Sequence, residues 1–204
     1  MIQTLTKNWW LLGLCGVLDA ISSVLYLIMY DAGPDGTPFQ GWYATVVLIS
    51  RLAVAAGACA IAAGIWRSTQ GISWLLVLNG LACSAYGLIP WVWRGPLGFR
   101  LFALLIVVMA LSFGVLALAV AGTMRRQRQG ADQWLFGVAG AASFGFAVVF
   151  LALVNGWIQL ERRPFHPALF LWLCLFFGFS AICMLGLAPR LRSLMAMGNP
   201  LQAH

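Results

Sequence analysis

The sequence predicts an all-α polytopic membrane protein, with six transmembrane helices arranged as three parallel helical-hairpin repeats in a pseudo-threefold bundle. Three observations carry this expectation. Apolar residues make up 62% of the 204-residue chain and charged residues only 8%, against roughly 25% charged in an ordinary soluble domain. Six apolar runs are each long enough, at roughly 20 residues, to cross about 30 Å of hydrocarbon. A pattern of tryptophan, glycine and a small residue recurs three times, once at the head of each pair of runs. Mean hydropathy is +0.92 and there are ten tryptophans. Such a chain is neither disordered, nor a secreted disulfide scaffold, nor a free cytosolic enzyme.

The runs lie at about 9–30, 42–66, 73–93, 99–121, 133–157 and 168–188. They are too long and too continuous for the alternating strands of a barrel, so helices are the expected spanning form. The longest connections, 31–41 and 158–167, leave no room for a second domain, and the chain reads as one membrane domain, 1–204. The first run carries Asp19 and is followed by no small-x-small cleavage site before Tyr30. It reads as a retained helix rather than a signal peptide.

Charge placement sets the expected orientation. Lys7, Arg67, Arg125, Arg126, Arg128, Arg190 and Arg192 fall on one side, with Asp132 as the acid there. Arg94, Arg100, Arg162 and Arg163 fall on the other, together with Asp31, Asp35 and Glu161. The positive-inside rule then places both termini in the cytoplasm. Trp9, Trp10, Trp66, Trp74 and Trp134 mark one interface and Trp42, Trp91, Trp93 and Trp157 the other, where an indole keeps its N–H wet and its ring in lipid. The net charge of +7 is a topology signal. It forms no continuous stripe, so nucleic acid is not an expected partner.

The repeat is the most informative feature. Trp10, Trp74 and Trp134 are each followed six residues later by Gly16, Gly80 and Gly140, and seven residues beyond stand Ser23, Gly87 and Ala147. Each hairpin turns through prolines (Pro34 and Pro38, Pro90 and Pro96, Pro164 and Pro167) and ends in arginine. The hairpins span about 9–67, 73–126 and 133–192, and all enter and leave on one side. Parallel repeats of this kind share an axis along the membrane normal. Small-residue stripes at Ala56, Ala60 and Gly64 and at Gly137, Ala141 and Gly145 are expected packing seams.

The segments from Trp10 to Gly16, Trp74 to Gly80 and Trp134 to Gly140, each leading to a proline turn and an arginine-ended second helix, resemble the short membrane repeat of HdeD-like proteins. The resemblance covers the chain from about Trp9 to Arg192. It implies a six-helix bacterial inner-membrane protein associated with acid or general stress resistance, and it brings no catalytic residues. The long first loop and the charges Asp19 and Arg51 depart from the usual pattern.

Those two charges fall deep within their spans, on neighbouring antiparallel helices and at similar depth. A lone charge there costs at least ~2.5 kcal/mol on insertion scales, so an Asp19–Arg51 ion pair is expected, serving as a structural clasp or as part of an ion pathway. Cys83 and Ser143 occupy the equivalent position in the other two repeats. Asn79, Ser22, Ser23, Ser84, Tyr86 and Ser143 are expected to bond helix to helix or to line a small polar cavity. Cys15, Cys59, Cys83, Cys174 and Cys183 all fall in apolar spans, without a C-x-x-C pair. His166 lies in a loop and His204 is the final residue. No haem ligand, metal set, phosphate loop or nucleophile motif is evident, so neither a cofactor nor catalysis is expected. The expected function is a non-catalytic membrane protein, stress-related or an accessory subunit. Its expected partners are the bilayer and a larger complex or a second copy. The alternative is a small ion or proton channel or transporter built on Asp19 and Arg51.

Overall fold

The computed structural model describes residues 8–36, 39–66, 73–92, 96–126, 133–155 and 167–197. They form six helices, α1 (Trp9–Gly36), α2 (Phe39–Ile65), α3 (Trp74–Val92), α4 (Pro96–Arg126), α5 (Gln133–Val154) and α6 (Pro167–Met197). Five carry apolar stretches of 18 to 23 residues, and α3 carries the shorter stretch Trp74–Ile89. At 19 residues α3 is still about 28 Å long. The chain is a six-helix polytopic membrane protein.

Most of the connection expected at 31–41 is helical, because α1 continues through Pro34 to Gly36 and α2 opens at Phe39. Helices α4 and α6 each open on a proline, Pro96 and Pro167, in the first turn, where a missing N–H costs no intrahelical bond. Helix α6 also runs on past the expected limit of 188, through Pro189 to Met197.

The tightest seams do not lie within the hairpins. Helix α1 packs most closely on α6, α2 on α3 and α4 on α5. The α1–α2 and α3–α4 contacts are less extensive, and the α5 and α6 backbones scarcely meet. Each tight seam therefore joins one hairpin to the next, with α6 returning to α1.

Each of these seams is set by the glycine of the repeat. A Cβ added to Gly80 would stand 2.6 Å from the Gly57 carbonyl oxygen and 2.8 Å from the Ile61 nitrogen, so α2 and α3 touch backbone to backbone. At Gly140 the added atom would meet Leu118 Cγ at 2.7 Å and the Gly114 oxygen at 3.1 Å; at Gly16, Leu185 Cγ at 2.9 Å. Lipid tails are as apolar as leucine, so helices in a bilayer gain from close van der Waals packing and not from burial as such. A bare backbone permits that approach. The α5–α6 seam is the opposite case, filled by large rings. Phe146 lies 6.2 Å from Trp172, 5.6 Å from Phe176 and 5.7 Å from Phe179, centroid to centroid.

One sequence expectation fails here. The stripe at Gly137, Ala141 and Gly145 faces outward, with nothing within 4 Å of a Cβ at either glycine and Ala141 exposed. The inner face of α5 is one residue pair away, on Gly140, Ser143, Ala147 and Phe150. The repeat tryptophans Trp10, Trp74 and Trp134 are 48%, 70% and 60% exposed, as rings that sit at an interface are. Ala56 and Ala60 on α2 are buried as expected.

One end of the bundle is tied by polar and aromatic contacts. The Asn8 amide donates to the carbonyl oxygens of Ala63 and Trp66, satisfying groups that a helix C-terminus leaves unpaired. Trp10 meets Trp66 edge-on at 6.4 Å, and the Arg192 guanidinium lies over the Trp9 ring at 5.3 Å.

Gly80→Ala is expected to cost about 1–3 kcal/mol through overpacking and to lower the melting temperature in detergent. Gly122→Ala, where an added Cβ meets nothing within 4 Å, is expected to be neutral or to stabilise by up to about 1 kcal/mol. Equal effects at the two sites would contradict a backbone-contact role for Gly80.

Candidate functional site

Helix α1 buries one stripe, Leu12, Cys15, Asp19, Ser22, Tyr26 and Met29, alternating in steps of three and four residues as an inward helical face does. Asp19 sits in the middle of it. The matching stripe of α6, Leu173, Phe177, Ser180, Met184 and Leu187, is also buried and places Ser180 opposite. The Ser180 hydroxyl donates to Asp19 Oδ2 at 2.7 Å.

Around this bond lies a polar layer. Asp19, Cys15, Asn79, Cys83 and Ser180 surround a cavity of about 20 Å³, closed by Ala56, Ala60, Met109, Phe113, Phe176 and Met184. That volume holds about one water molecule. The Ser112 hydroxyl reaches both Asn79 Oδ1 at 3.3 Å and the Met109 carbonyl oxygen at 3.0 Å. The thiols of Cys15 and Cys83 donate to the α2 carbonyl oxygens of Ala56 and Ala53 at 3.4 and 3.2 Å. Each polar group thus has a partner that hydrocarbon would not supply.

Apolar clusters lie on both sides of this layer. Toward the Trp9 end are Leu11, Leu12, Ala63, Leu76, Leu116, Val120, Phe136 and Leu187. Toward the other end are Tyr26, Met29, Tyr86, Ile106, Phe150, Phe170 and Phe177 among others. There the Tyr26 and Tyr86 hydroxyls bond to each other, and both rings pack on Phe177, at 5.6 and 5.7 Å. Pairing the two hydroxyls leaves an apolar exterior to this part of the core.

The expected Asp19–Arg51 pair is not formed. Asp19 is buried on the inside of α1, whereas Arg51 is exposed on the outside of α2. The buried face of α2 is Ile49, Ala53, Ala56, Ala60 and Ala63. Arg51 stands two residues from Ile49 and from Ala53, which is about 200° around the helix. Depth matched the two charges; helical phase separates them.

The other expected polar residues divide. Ser23 bonds helix to helix, donating to the Cys174 carbonyl oxygen at 2.8 Å. Ser22 returns to its own helix at Leu18, and Asn79 lines the cavity. Of the three equivalent positions, Asp19 and Cys83 line the cavity, while the buried Ser143 hydroxyl has no hydrogen-bond partner among the described residues. Ser180, Ser112 and Cys15 were not singled out by the sequence as site residues; the signal for Ser180 and Cys15 was their place in an apolar three-four stripe. The loop residues Glu161, Arg162, Arg163 and His166, and Asp132, lie outside the described residues. Among the described residues no three His, Cys, Asp or Glu side chains gather as a metal site would need.

Comparison with family models, with curated proteins and with solved structures finds no match to this chain.

In a double-mutant cycle read by thermal melting, Asp19→Ala and Ser180→Ala are expected to couple by about 1–2 kcal/mol. Asp19→Ala and Arg51→Ala, which share no contact, should add within about 0.5 kcal/mol. Strong coupling of the second pair would restore the ion-pair clasp.

Proposed function

We propose that this chain is a non-catalytic integral membrane protein of the HdeD-like type, stress-related or acting as an accessory, structural subunit of a larger membrane complex. In this reading it resides in a bacterial inner membrane with both termini cytoplasmic, and its three hairpins are related by a pseudo-threefold axis. The repeat supports that axis. Gly16, Gly80 and Gly140 face Leu185, Ile61 and Leu118 of the preceding hairpin, and four residues before each of these stand Ala181, Gly57 and Gly114.

The observation that carries the accessory reading is the enclosure of the polar layer. Asp19 is held by Ser180 beside room for one water, and an apolar cluster lies on either side. A charge crossing either cluster would shed its hydration without a replacement partner, which is costly in a low-dielectric interior. The polar groups therefore serve best as interhelical bonds that fix which faces meet.

A second reading, a small ion or proton channel, draws on one observation. Side chains of α1, α3 and α6 (Asp19, Asn79 and Ser180) converge on a single cavity. In that reading Asp19 alone supplies the charge, since Arg51 lies outside the bundle.

Two measurements separate the readings. Isolation from native membranes in mild detergent is expected to retain a second protein in fixed stoichiometry. Purified protein in liposomes is expected to pass protons and monovalent cations no faster than empty vesicles. A sustained flux that Asp19→Asn abolishes would establish the channel instead.

A further inference from the structure

Arg51 is a charge within an apolar span that the bundle leaves outside. We infer that the outer face of α2 around Arg51 docks a transmembrane helix of a different protein, one that presents a carboxylate at mid-membrane depth. The inference rests on the accessory-subunit reading above and adds to it the surface and the chemistry of the partner.

Depth comes first. The apolar span of α2 runs from Ala44 to Ile65. Arg51 is seven residues inside one end and fourteen from the other, about 10 Å and 21 Å along the axis. Snorkelling to the headgroups serves long side chains near helix ends; Arg51 is two turns further in. It is exposed, and no ion pair or hydrogen bond joins it to the described residues. An arginine facing hydrocarbon costs about 2.5–3.5 kcal/mol at a helix centre on insertion scales and less toward the ends, a cost that a carboxylate on a packed neighbour removes.

The surface around it suits a helix. Leu48, Arg51, Ala55 and Ala58 are exposed in successive steps of three, four and three residues, the spacing of one helical face. Ala55 and Ala58 leave a neighbour's backbone free to come close, with Arg51 reaching beside it. The guanidinium then offers a planar pair of donors, matched to a carboxylate.

A second copy of this chain does not fit. Its acids are Asp19, Asp31, Asp35, Asp132 and Glu161. Asp19 is buried inside the bundle, Asp31 ends the first apolar span, and the other three lie beyond the spans in the sequence. Of the acids whose side chains are described, Asp19 and Asp31, neither reaches the level of Arg51 on the outside. The carboxylate must come from another polypeptide.

The test is photo-crosslinking of the full-length protein in its native membranes, with the photo-reactive residue placed at Leu48, at Ala55 and, as a control face, at Ile182, which is 74% exposed on α6. The expected result is one discrete adduct from positions 48 and 55 and none from 182, with the linked peptide lying in a transmembrane segment that contains Asp or Glu. Arg51→Leu should cut that adduct about tenfold or more while leaving the melting temperature of the isolated protein unchanged. Arg51→Glu should abolish the adduct, and exchange of the partner's acid for arginine should restore it. An adduct from 182 but not from 48 or 55 would overturn this inference and leave the accessory reading standing. An adduct between two copies of the chain would overturn it in favour of self-association. Lipid adducts alone, with no protein partner at any position, would overturn both.

Discussion

Helices dissolved in hydrocarbon have little reason to prefer each other to lipid, and the bundle rests on the places where that indifference is overcome. Gly80 against Gly57, Gly140 against Gly114 and Gly16 against Leu185 bring backbones or branched side chains to within van der Waals contact. Dispersion forfeits much of its well depth over a gap of half an ångström to one ångström, so these approaches hold only while the glycine lacks a Cβ. The seams they make run between hairpins, which turns three marginal helix pairs into one closed arrangement. Where a hairpin's own helices stand apart, as at α5 and α6, aromatic rings fill the distance. Close packing at the seams between hairpins and bulky filling between α5 and α6 have one reason: the space between two helices must be filled by something other than solvent.

The same constraint governs the polar layer. Hydrocarbon cannot satisfy a carboxyl, an amide or a hydroxyl, and where such a group selects a partner on another helix, the partner fixes rotation as well as distance. Small-residue seams are permissive about rotation, because one alanine stripe resembles the next. The bonds from Ser180 to Asp19, from Ser112 to Asn79 and from Ser23 to Cys174 are not. They supply the specificity that glycine contacts lack, at a level of the membrane where neither headgroups nor water can substitute.

That division explains what was legible in the sequence. Span number and span class follow from run length and composition, and the glycines of the repeat follow from their recurrence. Which face of a helix turns inward followed only in part for α2, where Ala56 and Ala60 are buried as expected but Arg51 is exposed, and did not follow for α5. On α2 the buried stripe, Ile49, Ala53, Ala56, Ala60 and Ala63, and the outer stripe, Ala44, Leu48, Arg51, Ala55 and Ala58, are, Arg51 apart, both apolar, small-residue-rich and spaced in threes and fours. Nothing in hydropathy separates them when lipid and core are equally apolar. On α5 the same ambiguity misplaced the seam by one face. Only α1 and α6, whose inward stripes carry Asp19 and Ser180, announce their orientation through a residue that hydrocarbon rejects.

Arg51 breaks that last rule within this chain, and the exception is instructive. A charge inside a span normally marks the inward face, because the bundle interior is where a partner can be found. The inference is sound only if the chain itself is the whole of the folded assembly. For Asp19 it is, since Ser180 answers it from within. For Arg51 the helix has turned its alanine stripe to the core and its charge to the outside, at a level where no acid among the described residues meets it. Were the bundle the complete assembly, a rotation of α2 by about half a turn would bring Arg51 toward Asp19 and still present alanines and leucine to both sides. The close contact of Gly57 with Gly80 opposes that rotation. The packing of the bundle thus fixes an outward charge, and an outward charge at this depth is consistent with the rest of the structure only when something beyond the bundle completes it.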